Sequence, residues 1–181
     1  MASIRISDIV ATEAKLPSVI AGLPDAPVVG VSIQGIQVTL TEKVKGTLSI
    51  SDIPERPGSY PEPIMFGLLP SHGVFLRHVR NVSLYQFTVE AAAGEELPMI
   101  AADDAVDLRF ASIETSAKSR PTLWLHNSSS SSVDLAETNF CRVSGSKSAD
   151  LRFPGATSAA VHDRVEILAD VKAGSIQRTP Q

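Results

Sequence analysis

Tyr60-Pro-Glu-Pro-Ile-Met-Phe-Gly-Leu-Leu-Pro-Ser-His-Gly-Val-Phe-Leu-Arg-His-Val-Arg-Asn-Val-Ser-Leu-Tyr-Gln-Phe-Thr-Val89 changes character at its midpoint. Residues 60–72 carry Pro61, Pro63, Gly67 and Pro70. Proline lacks the amide hydrogen that a helix or a central strand would use, so this half is neither. From Gly73 onward short runs alternate apolar and polar residues, as half-buried strands do. Within that second half, Val82-x-Leu84-x-x-Phe87-x-Val89 supplies a template that can be sought elsewhere.

It recurs upstream as Ile4-x-Ile6-x-x-Ile9-x-Ala11 and Val31-x-Ile33-x-x-Ile36-x-Val38. Downstream it recurs as Leu108-x-Phe110-x-x-Ile113-x-Thr115 and, with a polar slip, as Val133-x-Leu135-x-x-Thr138-x-Phe140. Counted from the second apolar position (Ile6, Ile33, Leu84, Phe110, Leu135), the intervals are 27, 51, 26 and 25 residues. The long interval is a normal one plus an insertion, residues 41–72, that contains the proline-rich half. A fixed period of this size points to stacked repeats whose corresponding residues lie above one another.

A second, weaker strand precedes the template: Ser18–Ala21, Val74–Leu76, Met99–Ala101 and Thr122–Leu125. Proline stands just before three of them (Pro17, Pro98, Pro121), where a first strand residue tolerates a missing donor. Each unit therefore reads strand, turn, strand, kink, strand, loop. No helical stretch offers a crossover, and no Leu-x-x-Leu-x-Leu ladder marks a leucine-rich horseshoe. The expected architecture is all-β, a parallel β-helix with about 25 residues per coil. Coils fill residues 1–145, with the insertion at 41–72, and residues 146–181 form an irregular last coil and tail. Thr47–Ile50 reads as a short edge strand, Ser128–Ser132 as an exposed turn, and Ala149–Phe153 with Val165–Leu168 as one further coil.

Tyr60-Pro-Glu-Pro-x-Met-Phe-Gly, a Leu-Pro, and Gly73-Val-Phe-Leu-Arg-His-Val resemble the C-terminal coils of family 28 glycoside hydrolases. These are the polygalacturonase and rhamnogalacturonan hydrolase family, of the right-handed, pectin lyase-like β-helix fold. Pro17-Ser-Val-Ile-Ala-Gly-Leu-Pro, Pro27-Val-x-x-Val-x-Ile and Leu97-Pro-Met-Ile-Ala-Ala-Asp-Asp-Ala-Val fit the same region, so the resemblance covers roughly residues 3–115. It implies inverting hydrolysis of pectin-type polysaccharide in a complete enzyme, with carboxyl groups about 6.5–9.5 Å apart serving as acid and base. It also implies that the chain opens on a late coil. The family's Asn-x-Asp, Gly-His-Gly and Arg-x-Lys motifs do not occur in this sequence.

The 181 residues are 43% hydrophobic and 20% charged, enough for one domain with a core. A net charge of -4 argues against nucleic acid as a partner. No cationic segment precedes an apolar run as in a signal peptide, and no apolar run is long enough to span a membrane. Cys141 is the single cysteine, which rules out an internal disulfide framework. The four histidines show no ligand spacing, so neither metal nor cofactor is expected.

Asp103-Asp104 imitates a catalytic pair, but it falls where a turn is expected, and aspartate is favoured there for accepting backbone amides. His78 reads as an outward, solvated or stacked residue. Met65 and Phe66 read as apolar anchors of the long loop. Tyr60, Glu62 and Arg77 are the candidate substrate-binding residues, an aromatic for a sugar ring and a cation for a uronate, on what reads as exposed loop. The expected role is scaffold in a pectin-degrading hydrolase, without catalysis by this chain alone. The alternatives are a non-catalytic carbohydrate-binding β-solenoid and a structural remnant. The first coil, with Ile4, Ile6 and Ile9, shows no cap, which predicts self-association or a complementing partner at that edge.

Overall fold

The computed structural model describes residues 3–59, 62–154, 162–172 and 176. Its strands are β1 (Ile4–Ala14), β2 (Ser18–Ala21), β3 (Val28–Leu40), β4 (Val74–Glu90), β5 (Ile100–Thr115), β6 (Leu123–His126), β7 (Ser132–Val133), β8 (Cys141–Ser144) and β9 (Val165–Ile167). A 3₁₀ turn spans Pro63–Phe66. The strands make one sheet in the order β1-β3-β4-β5-β6-β8-β9, with β2 on β4 and β7 on β5. Every ladder between these strands is parallel.

The repeat is the register. Ile6 pairs with Ile33, Ile33 with Leu84, and Leu84 with Phe110. Ile9, Ile36, Phe87 and Ile113 align in the same way. Except for Ile6, which packs partly buried against it, and Ile9, which is exposed, these side chains stack in one continuous core that runs from Val31 to Val171. The fifth member differs: Phe110 faces Val133, not Leu135. A slip of two residues keeps both side chains inward, because strand side chains alternate with period two, and Leu135 is buried all the same.

The double gap in the template has a backbone cause. Two outward residues follow one another there, and the second takes positive φ, which turns the chain and resets the alternation. Asp8, Gly35, Gln86 and Ser112 occupy this bend in aligned positions. A second column of such residues holds Gly30, Asn81, Asp107, Ser130 and Asp150, and a third holds His78, Asp104, Asn127 and Gly145. Asn and Asp recur because their short polar side chains tolerate this conformation best after glycine. The 17 residues of β4 would run roughly 55 Å if straight. Instead the bends bring its end back to its start: a Cβ placed on Gly73 would lie 3.1 Å from Val89 Cγ2.

Two readings change in the later rungs. The serine run is not an exposed turn. Ser129 and Ser132 bridge Val106 and Arg109 on one side and Ala149 and Arg152 on the other, and Ser128 and Ser131 are buried. Ser131 Oγ accepts the Leu108 amide at 3.0 Å and donates to the Ser129 carbonyl, so small hydroxyl side chains complete a rung too short for a full strand. Ala149–Phe153 and Val165–Leu168 also belong to two rungs rather than one. Arg152 bridges Ser132, whereas β9 pairs with β8.

From the segment 41–72, Ile50, Ile53, Phe66 and Leu69 lie over the outward face of β4–β6. Thr47–Ile50 is not a strand; the sole pairing here is the bridge between Gly46 and Leu69. Local bonds compete with a ladder at this point, since Ser49 donates its amide to Thr47 Oγ1 and its hydroxyl to Asp52. At the Gly46–Leu69 neck a Cβ on Gly46 would sit 2.4 Å from the Leu69 carbonyl, so the close approach needs glycine. Ile50, Ile53, Phe66 and Leu69 pack with Phe75, Ala101 and Trp124 in a second apolar cluster, with Met65 against it. Phe66 and Met65 are the anchors their composition suggested. Buried Glu95 holds the start of the segment, its carboxylate accepting the amides of Val44, Glu96 and Leu97. At the other end the buried His72 ring lies 2.9 Å from the Leu97 carbonyl and 3.3 Å from Thr115 Oγ1. At the opposite edge of the sheet β1 pairs with β3 alone among the described residues, and Ile4, Ile9 and Val10 are exposed.

Candidate functional site

The chemically richest cluster lies where the 41–72 segment meets the third bend column, that of His78 and Asp104. Outward positions in β4, β5, β6 and β8 place Arg77, Asp103, His126 and Ser144 in successive register. The bend residues His78 and Asp104 lie beside them. Arg77 is 8% exposed, Asp103 7% and His78 6%. Glu55 reaches in from the covering segment.

Arg77 organises the cluster. Its Nη1 donates to the Ile53 carbonyl at 2.6 Å, and its Nη2 lies 2.8 Å from Glu55 Oε1. Its Nε sits 3.3 Å from Asp103 Oδ2 but is not aligned for a hydrogen bond, so that contact is ionic and not directional. His78 Nδ1 is 2.7 Å from Asp104 Oδ2, and its Nε2 is 2.8 Å from Glu55 Oε1. Arg80 completes the set, donating to both carboxylate oxygens of Asp104 at 3.2 Å and to its carbonyl.

Burial pushes the Asp103 carboxyl above its ordinary value, although Arg77, His126 and His78 pull it the other way. At Asp104 burial has the same sense but is outweighed, and the His78 and Arg80 hydrogen bonds hold its carboxyl below the usual range. Neighbouring aspartates pushed in opposite directions can mark an acid–base pair. Here each carboxylate already faces a cation or an imidazole from its own chain. The bonding links the covering segment to two rungs of the sheet.

One rung further, Ser144 and His126 imitate a nucleophile and base. Ser144 Oγ lies 2.8 Å from His126 Nδ1 and accepts the Trp124 indole N–H at 2.8 Å. The serine is 3% exposed, and its carbonyl holds Ser148 Oγ at 2.6 Å. A hydroxyl closed off in this way fixes the rung and has no room for an incoming carbonyl. Lys147, three residues further on, is exposed and bonds by its amide to Asn127, so its ammonium does not join this pair.

The sequence candidates do not converge. Tyr60 lies outside the described residues. Glu62 is exposed at the entry to the 3₁₀ turn. Arg77 is not on an exposed loop but on β4 beneath the covering segment, engaged with Ile53 and Glu55. His78 points outward as the alternation implied, yet the same cover buries it. Asp104 does sit at a bend, with φ 47°, while Asp103 pairs within the strand. Sequence reasoning missed Glu55, Trp124 and Ser144. The alternation around Trp124 and Ser144 would have placed them on the same outward face as Arg77 and Asp103.

No protein-family model matches the chain, and no curated protein matches it. Among solved structures it is similar to a crystal structure described as a "putative glycosyl hydrolase" from Parabacteroides merdae. The identity is 12%, with 97% of this chain and 85% of that chain covered and a TM-score of 0.40. A likeness at that level speaks to neither substrate nor mechanism.

Proposed function

We propose that this chain is a scaffold portion of a glycoside hydrolase of the family 28 type, built as a right-handed parallel β-helix and corresponding to that family's C-terminal coils. In this reading it supports and borders a polysaccharide cleft and does not itself cut the chain. The residue resemblance over roughly 3–115 supports the family. The all-parallel sheet, with its repeat of in-register residues and three bends, is what such a helix requires.

The observation that carries the non-catalytic reading is the state of the carboxylates. Inverting hydrolysis needs two carboxyl groups facing a shared space that admits a sugar and a water. Glu55, Asp103 and Asp104 instead face Arg77, His78 and Arg80, and Asp103 is buried under the 41–72 segment.

Purified chain incubated with polygalacturonate or rhamnogalacturonan should release no reducing ends over the no-protein control. Sustained release by the pure chain, lost on Asp104→Asn, would overturn the scaffold reading and make the bend pair catalytic.

A further inference from the structure

The first rung leaves the stack open. β1 pairs with β3 on one edge, and its other edge carries no partner among the described residues. The core columns run up to it: Ile4, Ile6, Ile9 and Ala11 lie over Val31, Ile33, Ile36 and Val38. Ile33 and Ile36 are buried, whereas Ile4 is 51% exposed and Ile9 43%. Val10 and Leu16 beside them are 72% and 51% exposed. An edge with unpaired amides and carbonyls around an apolar centre is a template for another strand.

The far end of the stack offers no such surface. Val165, on the last strand, and Val171 are buried, and among the described residues no exposed large hydrophobic lies beyond Tyr85. Head-to-tail addition of copies therefore has nothing to match the first rung.

What does match it is the first rung itself, reversed. From Ile4 to Ala11 the side chains run in, out, in, out, out, in, out, in, the same order from either end. The centre of this palindrome is the corner at Ser7 and Asp8, where Asp8 takes φ 57°. The Glu13 bend lies to one side of that corner and the Gly30 bend lies beneath Ser3 on the other, so reversal superposes them to within a residue. A two-fold axis through the corner, perpendicular to the stack, sets a second β1 antiparallel along the free edge. Ile6 then faces Ile9 of the copy, and Ile4 faces Ala11. On the outside Arg5 faces Val10 and Asp8 faces Ser7, so no like charges stand directly opposite one another. Opposed residues share the same inward or outward sense, as the alternating bonds of an antiparallel ladder require.

We propose that the first rung is the contact surface for a second copy of this chain, joined head to head through antiparallel β1 strands in a closed dimer. A two-fold contact uses the same patch on both partners and stops at two. This contact does not depend on the hydrolase reading, and release of reducing ends does not bear on it.

Sedimentation of the full chain over a range of concentrations at low salt should show a monomer–dimer equilibrium and no larger species. Val10 is the informative position, since it is exposed and faces Arg5 of the copy at two symmetric places. Val10→Glu and Val10→Arg remove the same apolar surface, but one sets an opposite charge against those arginines and the other a like charge. The Val10→Glu dimer should be about tenfold tighter than the Val10→Arg dimer, from two cross-strand charge pairs. Adding Arg5→Glu to Val10→Arg should restore the affinity. Melting of the dilute chains should be alike, because both positions are exposed. A chain monomeric at every concentration, association that continues past two, equal weakening by the two Val10 substitutions, or no rescue by the double substitution would each overturn the proposal.

Discussion

Two outward faces of the same strands have opposite fates. One carries Phe75, Arg77, Ala101, Asp103 and Trp124 and lies beneath residues 41–72. The other carries Ser83, Tyr85, Arg109 and Ser132, with Tyr85 and Arg109 exposed and the two serines partly buried. Both obey the same local rule, since each residue alternates with an inward neighbour such as Leu76 or Leu84. Outward therefore does not mean exposed. What separates the faces is composition: an outward ladder of Phe, Ala and Trp leaves apolar area that must be covered, whereas one of Ser and Arg is satisfied by water.

The sharpest way to break the comparison is at Arg77. On the covered face, Arg77→Ala leaves Asp103 buried without its cation and frees the Ile53 carbonyl, so it should lower stability by about 3–5 kcal/mol in urea unfolding. A loss below about 1 kcal/mol would mean that the cover is not docked through this cluster. Combining Arg77→Met with Asp103→Leu should recover most of the loss, because replacing both members of a buried pair by apolar groups is often neutral.

The inner half of this architecture is legible in the sequence, and the outer half is not. Ile6, Ile33, Leu84 and Phe110 are assigned to one column by spacing alone, because inward positions in stacked rungs share one apolar environment. Leu135 fails because Val133 and Leu135 both point inward, and parity cannot choose between registers two residues apart. The bends are half legible. Asn81, Asp104, Asp107 and Asn127 are residue types that favour positive φ, whereas His78 and Gln86 are held there by the ladder on either side. Arg77 and His78 read as exposed from sequence for a nonlocal reason: Glu55 and Ile53, which bury them, lie more than 20 residues away across an irregular segment. No periodicity encodes such a contact.

Acid should act on the covered side first. Burial lowers the pKa of His72 below 6.5, against the opposing pull of the Leu97 carbonyl and Glu95. The folded chain then binds fewer protons at this site than the unfolded chain. Its contribution is complete above pH 6.5 and is lost as pH falls from there through the depressed folded value. Melting temperature should therefore decline on that interval, and His72→Gln should flatten the decline. An unchanged slope in the variant would assign the loss elsewhere. The aspartates act at lower pH and in opposite senses. Asp104, held low, adds stability above 3.8 that disappears as pH falls through its folded value. Asp103, held high, contributes stability below 3.8 that is lost as pH rises through its folded value.

The smallest effects belong to the bare face, and they test whether it is bare. Arg109 pairs with Asp107 at the surface, its side chain 58% exposed, so the pair is well screened by solvent. Arg152 is exposed, with no partner for its guanidinium among the described residues. Tyr85→Thr keeps a residue type suited to a strand, so little propensity is lost. Each of Arg109→Gln, Arg152→Gln and Tyr85→Thr should thus shift unfolding by no more than about 0.5 kcal/mol, the range for surface positions free of buried partners. Arg77→Ala, on the same strand as Tyr85, should exceed each of them several-fold. A loss above about 1.5 kcal/mol at any of the three would show that this face packs against part of the folded protein, as the other face does. Its arginines would then be structural, like Arg77.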